Sequence, residues 1–347
     1  MPPIDVHIQN LVIELPSWIG DTVMATPVLA HARACLPRAR ITGIMRPGLA
    51  SLLEGCTDLD AMIEIDPRGL RGMRAMRNAV RGVRPDAVLL LRNSLRSAII
   101  ARLSGAALRV GYAGNGRSFL LTHVLDRKNA DDAVVRSTVD DYAALTEFAF
   151  GCPIAEEHAS PGLRVDEESR RAARELLGDT TGRYIVLNPG ANRLDKRWPV
   201  DRFAAVADHF SKQGLSIVIN GSPAELDLTS RACAAMTSTR SAVNLAEHSM
   251  ILATLKAVID GAALLITNDT GPRHIAIALR TPIVSLFGPT DHRWTIVPGA
   301  NEQRLLAEPF LPDELVADRH AKTCTMDRIA VADVIAASER ALSAQHA

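Results

Sequence analysis

Short runs of Val, Ile and Leu alternate along this chain with longer stretches in which apolar residues return every three or four positions. The runs at Leu11–Leu15, Ile41–Met45, Met62–Ile65, Ala87–Leu91 and Leu108–Gly111 are apolar without alternation. Such runs predict parallel strands buried on both faces by crossover helices. Helical spacing marks Thr22–Cys35 and Gly69–Val83 between them. A polar stretch from Gly151 to Gly162, holding Pro153 and Pro161, reads as a linker. The pattern then restarts, with strands expected at Tyr184–Leu187, Ser216–Asn220, Leu264–Thr267 and Ile283–Phe287. Helices are expected at Asp201–Gln213, Ala224–Met236 and Ser249–Asp260. Gly214 and Gly261 stand where a left-handed C-cap is wanted, and Pro199 suits a first helical position. The expected class is α/β: a doubly wound domain over residues 1–160, a second over 161–330, and a terminal helix within 331–347. Open α/β sheets take ligands beyond the carboxyl ends of their strands, so the site is expected in a cleft between the domains.

At 347 residues the chain exceeds what one growing core serves, which agrees with two domains. Its 39 basic and 39 acidic residues cancel, and that balance does not suggest nucleic acid as a partner. Cys35, Cys56, Cys152, Cys233 and Cys324 are scattered with no Cys-x-x-Cys pair. By spacing, then, neither a zinc site nor a disulfide framework is encoded, and a reducing, cytoplasmic setting is expected. Met1 to Asn10 lacks the basic and apolar regions of an export signal. Ile251–Thr267 is interrupted by Lys256, Asp260 and Gly261, so no run is long enough to cross a bilayer. Any membrane contact is expected to be peripheral.

Four segments carry candidate chemistry. Pro16-Ser17-Trp18-Ile19-Gly20-Asp21 leaves the first strand, and Asp21 stands at a helix start. An ordinary N-cap and a carboxylate facing a ligand are both open readings there. Asn188-Pro189-Gly190-Ala191-Asn192-Arg193-Leu194-Asp195-Lys196-Arg197-Trp198-Pro199 offers Asn192, Lys196 and Arg197 to an anion, or is a solvated loop around a buried Trp198. Asn220-Gly221-Ser222-Pro223-Ala224-Glu225 is either a plain turn or a nucleotide loop whose Glu225 holds ribose hydroxyls. Thr267-Asn268-Asp269-Thr270-Gly271-Pro272-Arg273-His274 is the most specific: free N–H groups at Thr270 and Gly271 would cradle an anion. His274 would touch a phosphate or stay a packed polar residue.

In this order the four segments resemble the ADP-heptose:lipopolysaccharide heptosyltransferases, glycosyltransferase family 9. The strongest pieces are Lys196-Arg197-Trp198-Pro199, Asn268-Asp269-Thr270-Gly271 with His274, and Leu286-Phe287-Gly288-Pro289-Thr290; Cys324 to Ile329 is similar to the family's final motif. The opening, with Ala25-Thr26-Pro27, looks most like the heptosyltransferase II branch. The resemblance implies a GT-B-like fold of two Rossmann-like domains and an inverting transfer that needs neither metal nor cofactor. It also implies ADP-L-glycero-D-manno-heptose as donor and an inner-core heptose of lipopolysaccharide as acceptor. Carried over by position, Asp21 becomes the general base and Lys196 the group that neutralises the departing diphosphate. Glu225 becomes the ribose ligand and Asp269 the heptose ligand, with Thr270, Gly271 and His274 near the phosphates. Some members have hydroxyl residues where this chain has Ala191 and Asn192, leaving Asn192 and backbone N–H groups as donors there.

Arg68, Arg71, Arg74, Arg77, Arg81 and Arg84 recur at helical steps, and residues 1–130 hold 17 basic against 10 acidic side chains. Arg71, Arg74 and Arg77 are either an acceptor-binding stripe or a solvated helix face. A different family 9 donor or acceptor, and a non-catalytic nucleotide-sugar-binding relative, are the alternative functions. A nicotinamide enzyme is disfavoured because the first turn lacks Gly-x-Gly-x-x-Gly.

Overall fold

A computed structural model describes residues 4, 7–126, 136–178, 180, 183–238, 242–308 and 322–344. Most of Met1–Val6 and the last three residues of the expected 331–347 segment lie outside that set. The chain divides into two compact units: Met1–Arg164 with Arg293–Val297, and Val165–His292 with Pro298–Ala347.

The first unit is built on six parallel strands, β1 (Asn10–Glu14), β2 (Arg40–Met45), β3 (Ala61–Glu64), β4 (Ala87–Leu90), β5 (Leu108–Tyr112) and β6 (His123–Leu125). Their spatial order is β3-β2-β1-β4-β5-β6. Leu11 pairs with Ile41 on one side and Ala87 on the other, so the strand order reverses between β1 and β4, where such sheets open a crevice. The helices are α1 (Ile19–Met24), α2 (Thr26–Cys35), α3 (Gly69–Val83), α4 (Leu95–Ser104) and α5 (Thr138–Phe150). The single helix expected over Thr22–Cys35 is two, broken at Ala25. Pro27 has no N–H to give the Val23 carbonyl, and the Thr26 hydroxyl donates to that carbonyl instead, at 2.8 Å. A serine side chain caps α4 (Ser94) and another caps α5 (Ser137), which ends on the left-handed Gly151.

The second unit repeats the plan. Helix α6 (Glu167–Leu177) precedes β7 (Tyr184–Asn188), α7 (Val200–Lys212), β8 (Ser216–Ile219), α8 (Leu226–Ala235), β9 (Val243–Asn244) and α9 (Leu252–Asp260). There follow β10 (Leu264–Asn268), α10 (Gly271–Leu279), β11 (Ile283–Phe287), β12 (Glu302–Leu306) and α11 (Val331–Ser343). The order β12-β11-β10-β7-β8-β9 is again parallel and reverses between β7 and β10. Helix α11 is no separate piece: Val334, Ala337 and Ala341 lie in one core with Ile185, Phe203, Ile266 and Leu286. Trp198 is fully buried in that core, and its indole N–H donates to the Ile329 carbonyl at 3.0 Å. Loop and C-terminal segment are thereby fixed together.

Three local expectations change. Gly214 is left-handed as a C-cap should be, but Gly261 is right-handed (φ −83°). The constraint at 261 is steric, since a Cβ would meet the Tyr184 hydroxyl at 2.6 Å. Pro199 is the N-cap of α7 rather than its first residue. Strands β6, β9 and β12 escaped the hydrophobic pattern because they lie at or next to sheet edges, where one face needs no apolar cover; Glu302, Gln303 and Arg304 open β12.

Candidate active site

The second unit assembles its candidates at the reversal between β7 and β10. Three buried asparagines stand at the carboxyl ends of neighbouring strands: Asn188 closes β7, Asn220 follows β8 and Asn268 closes β10. The Asn220 amide donates to Asn188 Oδ1 at 2.7 Å. Asn188 in turn donates to the Thr267 hydroxyl at 2.9 Å and the Thr270 hydroxyl at 3.0 Å. Asn268 holds the long loop after β7 from both ends, donating to the Pro189 carbonyl at 3.0 Å and accepting the Trp198 backbone N–H at 3.1 Å. Buried amides cost several kcal/mol when unpaired, so this ladder fixes the loop geometry closely.

What the ladder positions is an ion pair. Lys196 Nζ donates to Asp269 Oδ2 at 2.9 Å, with the side chains 13% and 8% exposed. Arg273, one turn along α10, lies 3.6 Å from the other Asp269 oxygen. Its guanidinium is fully buried, grips Glu302 of β12 through Nε at 2.6 Å and Nη2 at 3.0 Å, and lies over the Phe287 ring. Burial alone would raise the Asp269 carboxyl, but Lys196 and Arg273 outweigh it and hold the group below the usual carboxylate range. Glu302 is lowered in the same way, burial being outweighed chiefly by Arg273.

Helix α10 begins at Gly271 directly after this pair. Its N-cap, Thr270, has extended backbone and makes no side-chain cap bond, since its hydroxyl is held by Asn188. Pro272 has no N–H and the Arg273 N–H donates to the Thr270 carbonyl at 3.1 Å, so the Gly271 N–H, with no capping side chain, is the helix-start donor left beside a lysine, a combination suited to a phosphate. His274 is buried in the first turn. Burial first, and the Arg273 charge second, depress its pKa to about 3, so its imidazole is neutral around pH 7. Its Nδ1 is buried without a hydrogen-bond partner among the described residues.

The other predicted residues divide. Glu225 forms a capping box with Ser222, whose N–H and hydroxyl reach Oε2 at 3.0 and 2.9 Å. A side chain at Gly190 would overlap the Glu225 carboxylate, so the Lys196 loop and the Glu225 turn lie together. Asn192 is exposed on that loop. Arg197 turns to the loop itself, donating to the Ala191 carbonyl at 3.0 and 2.8 Å, and so braces it.

Asp21 belongs to the first unit and is not the N-cap of its helix. Trp18 occupies that position, 61% exposed, and Asp21 is a half-buried residue of the first turn of α1. A carboxylate there is favoured by the helix dipole. Arg68 and Arg84 flank α3, and Arg68 is paired with Asp66. Arg71 and Arg74 are exposed and Arg77 half-buried, without carboxylate partners among the described residues. Arg74 and Arg77 line a pocket of about 340 Å³ with Met73, Ile99, Ile100 and Leu103.

Sequence reasoning gave no role to Asn188, Asn220, Arg273 or Glu302, nor to Glu14. Glu14 closes β1 and accepts the Ser97 hydroxyl at 2.7 Å; burial raises its pKa although Ser97, Arg92 and Arg117 pull the other way. A signal did exist for the asparagines: three strands of one domain run into Asn. None existed for Glu302, whose partner is 29 residues away.

Two six-stranded Rossmann-like units with a phosphate-suited crevice in the second are the architecture of the GT-B-like fold class. The family model "Glycosyltransferase family 9 (heptosyltransferase)" matches residues 73–313, and the chain belongs to that family. Lipopolysaccharide heptosyltransferase 3 of Escherichia coli K12 is 26% identical over 350 residues, covering 93% of this chain and 95% of that one. Lipopolysaccharide heptosyltransferase 2 of the same strain is 27% identical over 294 residues, covering 81% and 83%. The solved structure of E. coli ADP-heptose LPS heptosyltransferase II superimposes with a TM-score of 0.80 at 24% identity, covering 98% of this chain and all of that one.

The neutral buried His274 has a consequence for stability. Its pKa is about 3 folded and about 6.5 unfolded, so the unfolded chain binds the extra proton between those values. Stability from this group is full above pH 6.5 and drains as pH falls toward 3, by up to about 1.4 kcal/mol per pH unit. Urea unfolding at pH 7, 6, 5 and 4 is expected to show a shallower decline for His274→Gln than for the wild type; parallel declines would contradict the buried neutral imidazole.

Proposed function

We propose that the chain transfers a heptose, with inversion, from ADP-L-glycero-D-manno-heptose to an inner-core heptose of lipopolysaccharide. The observation that carries this reading is the Lys196–Asp269 pair at 2.9 Å beside the uncapped start of α10. An ammonium has three donors and Asp269 engages one, which leaves two for a diphosphate. As the bond to ADP breaks, charge grows on the leaving oxygen. Lys196 and the N–H groups of Thr270 and Gly271 stabilise it through fixed dipoles and charge.

Asp269, kept ionised by its cations, is an acceptor for heptose hydroxyls. Glu225 uses Oε2 in its own turn, so Oε1 is the oxygen for ribose. Neutral His274 contacts the phosphates by an N–H and adds no net charge, and Asn192 donates from the loop. Asp21 removes the proton of the attacking hydroxyl, a step that typically contributes on the order of 10² to 10⁴ in rate. The relatives, lipopolysaccharide heptosyltransferases 3 and 2 and an ADP-heptose heptosyltransferase, support donor and acceptor class together.

The acceptor is an anionic amphiphile at a membrane face. No helix among the described residues is long and apolar enough to cross a membrane, so contact is peripheral in this reading. The α3–α4 pocket suits it, with Arg74 and Arg77 above an apolar floor, and Leu70 and Phe119 of the same unit are 86% and 81% exposed. Its setting on this reading is the cytoplasmic side of the membrane that carries the lipopolysaccharide precursor.

Incubation with ADP-heptose and acceptors of increasing length, following ADP release and product mass, tests the reaction. Asp21→Asn is expected to lower kcat by 10² or more with unchanged donor affinity; full transfer by this variant would remove the base from Asp21. Replacing Arg71, Arg74 and Arg77 with glutamine is expected to raise the acceptor KM, more at low salt than at high, with kcat retained. Acceptor kinetics that do not move would leave α3 a solvated face.

A further inference from the structure

The five cysteines are far apart in sequence, but two of them meet in the first unit. Cys35 is the last residue of α2, and Cys152 follows Gly151 at the end of α5, 117 residues later. Their sulfurs are 3.4 Å apart. His31, one turn back on α2, places Nε2 at 3.3 Å from Cys35 Sγ and 3.5 Å from Cys152 Sγ. Imidazole and thiols thus form a nearly equilateral triangle of donor atoms, with His31 buried and both cysteines half-buried.

That triangle has the dimensions of one face of a metal tetrahedron. Zinc binds sulfur at about 2.3 Å and nitrogen at about 2.0 to 2.1 Å, which sets neighbouring ligand atoms roughly 3.5 to 3.8 Å apart. The donors need to move only a few tenths of an ångström. A second feature points the same way. His158, in the short turn Glu156–His158 that packs against α2, has a buried Nδ1 without a hydrogen-bond partner among the described residues. Edge-on contact of His31 with Phe150, at 5.6 Å between centroids, fixes the imidazole over the end of α5.

We propose that His31, Cys35 and Cys152 form a structural site for a thiophilic divalent cation, zinc in kind, with a water as fourth ligand, or His158 once it moves in from outside the 4.8 Å cluster. Binding replaces each thiol proton by the metal and releases it to solvent. The ion pins α2 to the end of α5, and α2 continues directly from the helix that carries Asp21. A disulfide between the same cysteines is the competing chemistry; it needs an oxidant and leaves the symmetric placement of His31 without a role.

The test uses the full chain, purified metal-free with its thiols reduced. Competition against a chromophoric chelator is expected to show one zinc ion per chain, and cobalt(II) substitution is expected to give thiolate-to-cobalt charge-transfer absorption with tetrahedral d–d bands. Zinc should raise the melting temperature of the wild type. Cys152→Ser and His31→Gln should each weaken zinc binding by about 100-fold or more and lose that thermal shift, whereas Cys233→Ser keeps both. Far-UV circular dichroism confirms that the variants fold, and the cobalt spectrum of the wild type decides by itself if one does not. Reduced wild type that takes up no zinc, uptake that survives Cys152→Ser, or a Cys35–Cys152 disulfide with no zinc binding after reduction would each overturn the proposal.

Discussion

A largely enclosed lysine and a buried arginine share one aspartate in the second unit, and much else in that unit exists to make this tolerable. Lys196, Asp269, Arg273 and Glu302 are four charges with little contact with water. Desolvating them costs several kcal/mol each, and only close geometry with full pairing offsets that cost. The strand-end asparagines, the stacked Phe287 and the edge strand β12 all supply geometry or partners for this group. Removing Asp269 or Glu302 would leave a cation of the group short of a partner, whereas without Lys196 the Asp269 carboxylate still has Arg273. The same close pairing makes the arrangement rigid, and on the proposed reading a fixed cation beside the Gly271 N–H would stabilise a developing diphosphate with little reorganisation.

The first unit is arranged differently. At its reversal point between β1 and β4, Glu14 of β1 is held by Ser97 of α4, a buried contact between strand and helix. The residue that our reading makes catalytic stands on α1, a helix of six residues ended by the demands of Pro27. Its anchorage therefore depends on α2 and α5, the elements joined by the His31–Cys35–Cys152 triangle. One unit fixes charge by enclosing it, and the other holds a helix in place from behind.

The sequence showed both sheets because their central strands are apolar on both faces and its turns because Gly, Pro and Asn mark them. Of the four edge strands only β3 shows in the sequence: Glu302 to Leu306 reads as polar coil until Arg273 is known to need a carboxylate. Asp21 was recognised in a helix start, yet its place in the cap was wrong because Trp18, an unusual cap residue, takes that position. Lys196 and Asp269 stand in separate motifs, and neither motif announces a direct bond across 73 residues. Arg197 had the same charge and nearly the same position as Lys196, and only three-dimensional structure shows that it turns to the Ala191 carbonyl. Spacing alone likewise hid the cysteine cluster, since pattern rules look for ligands close in sequence.

The central claim, that the Lys196–Asp269 pair beside α10 receives the diphosphate, is tested most directly by calorimetric titration of ADP into wild type and Lys196→Met. The account predicts tenfold or weaker ADP binding in Lys196→Met, a loss of at least about 1.4 kcal/mol, with the folded state confirmed by circular dichroism. Equal ADP affinity in the two proteins would contradict it.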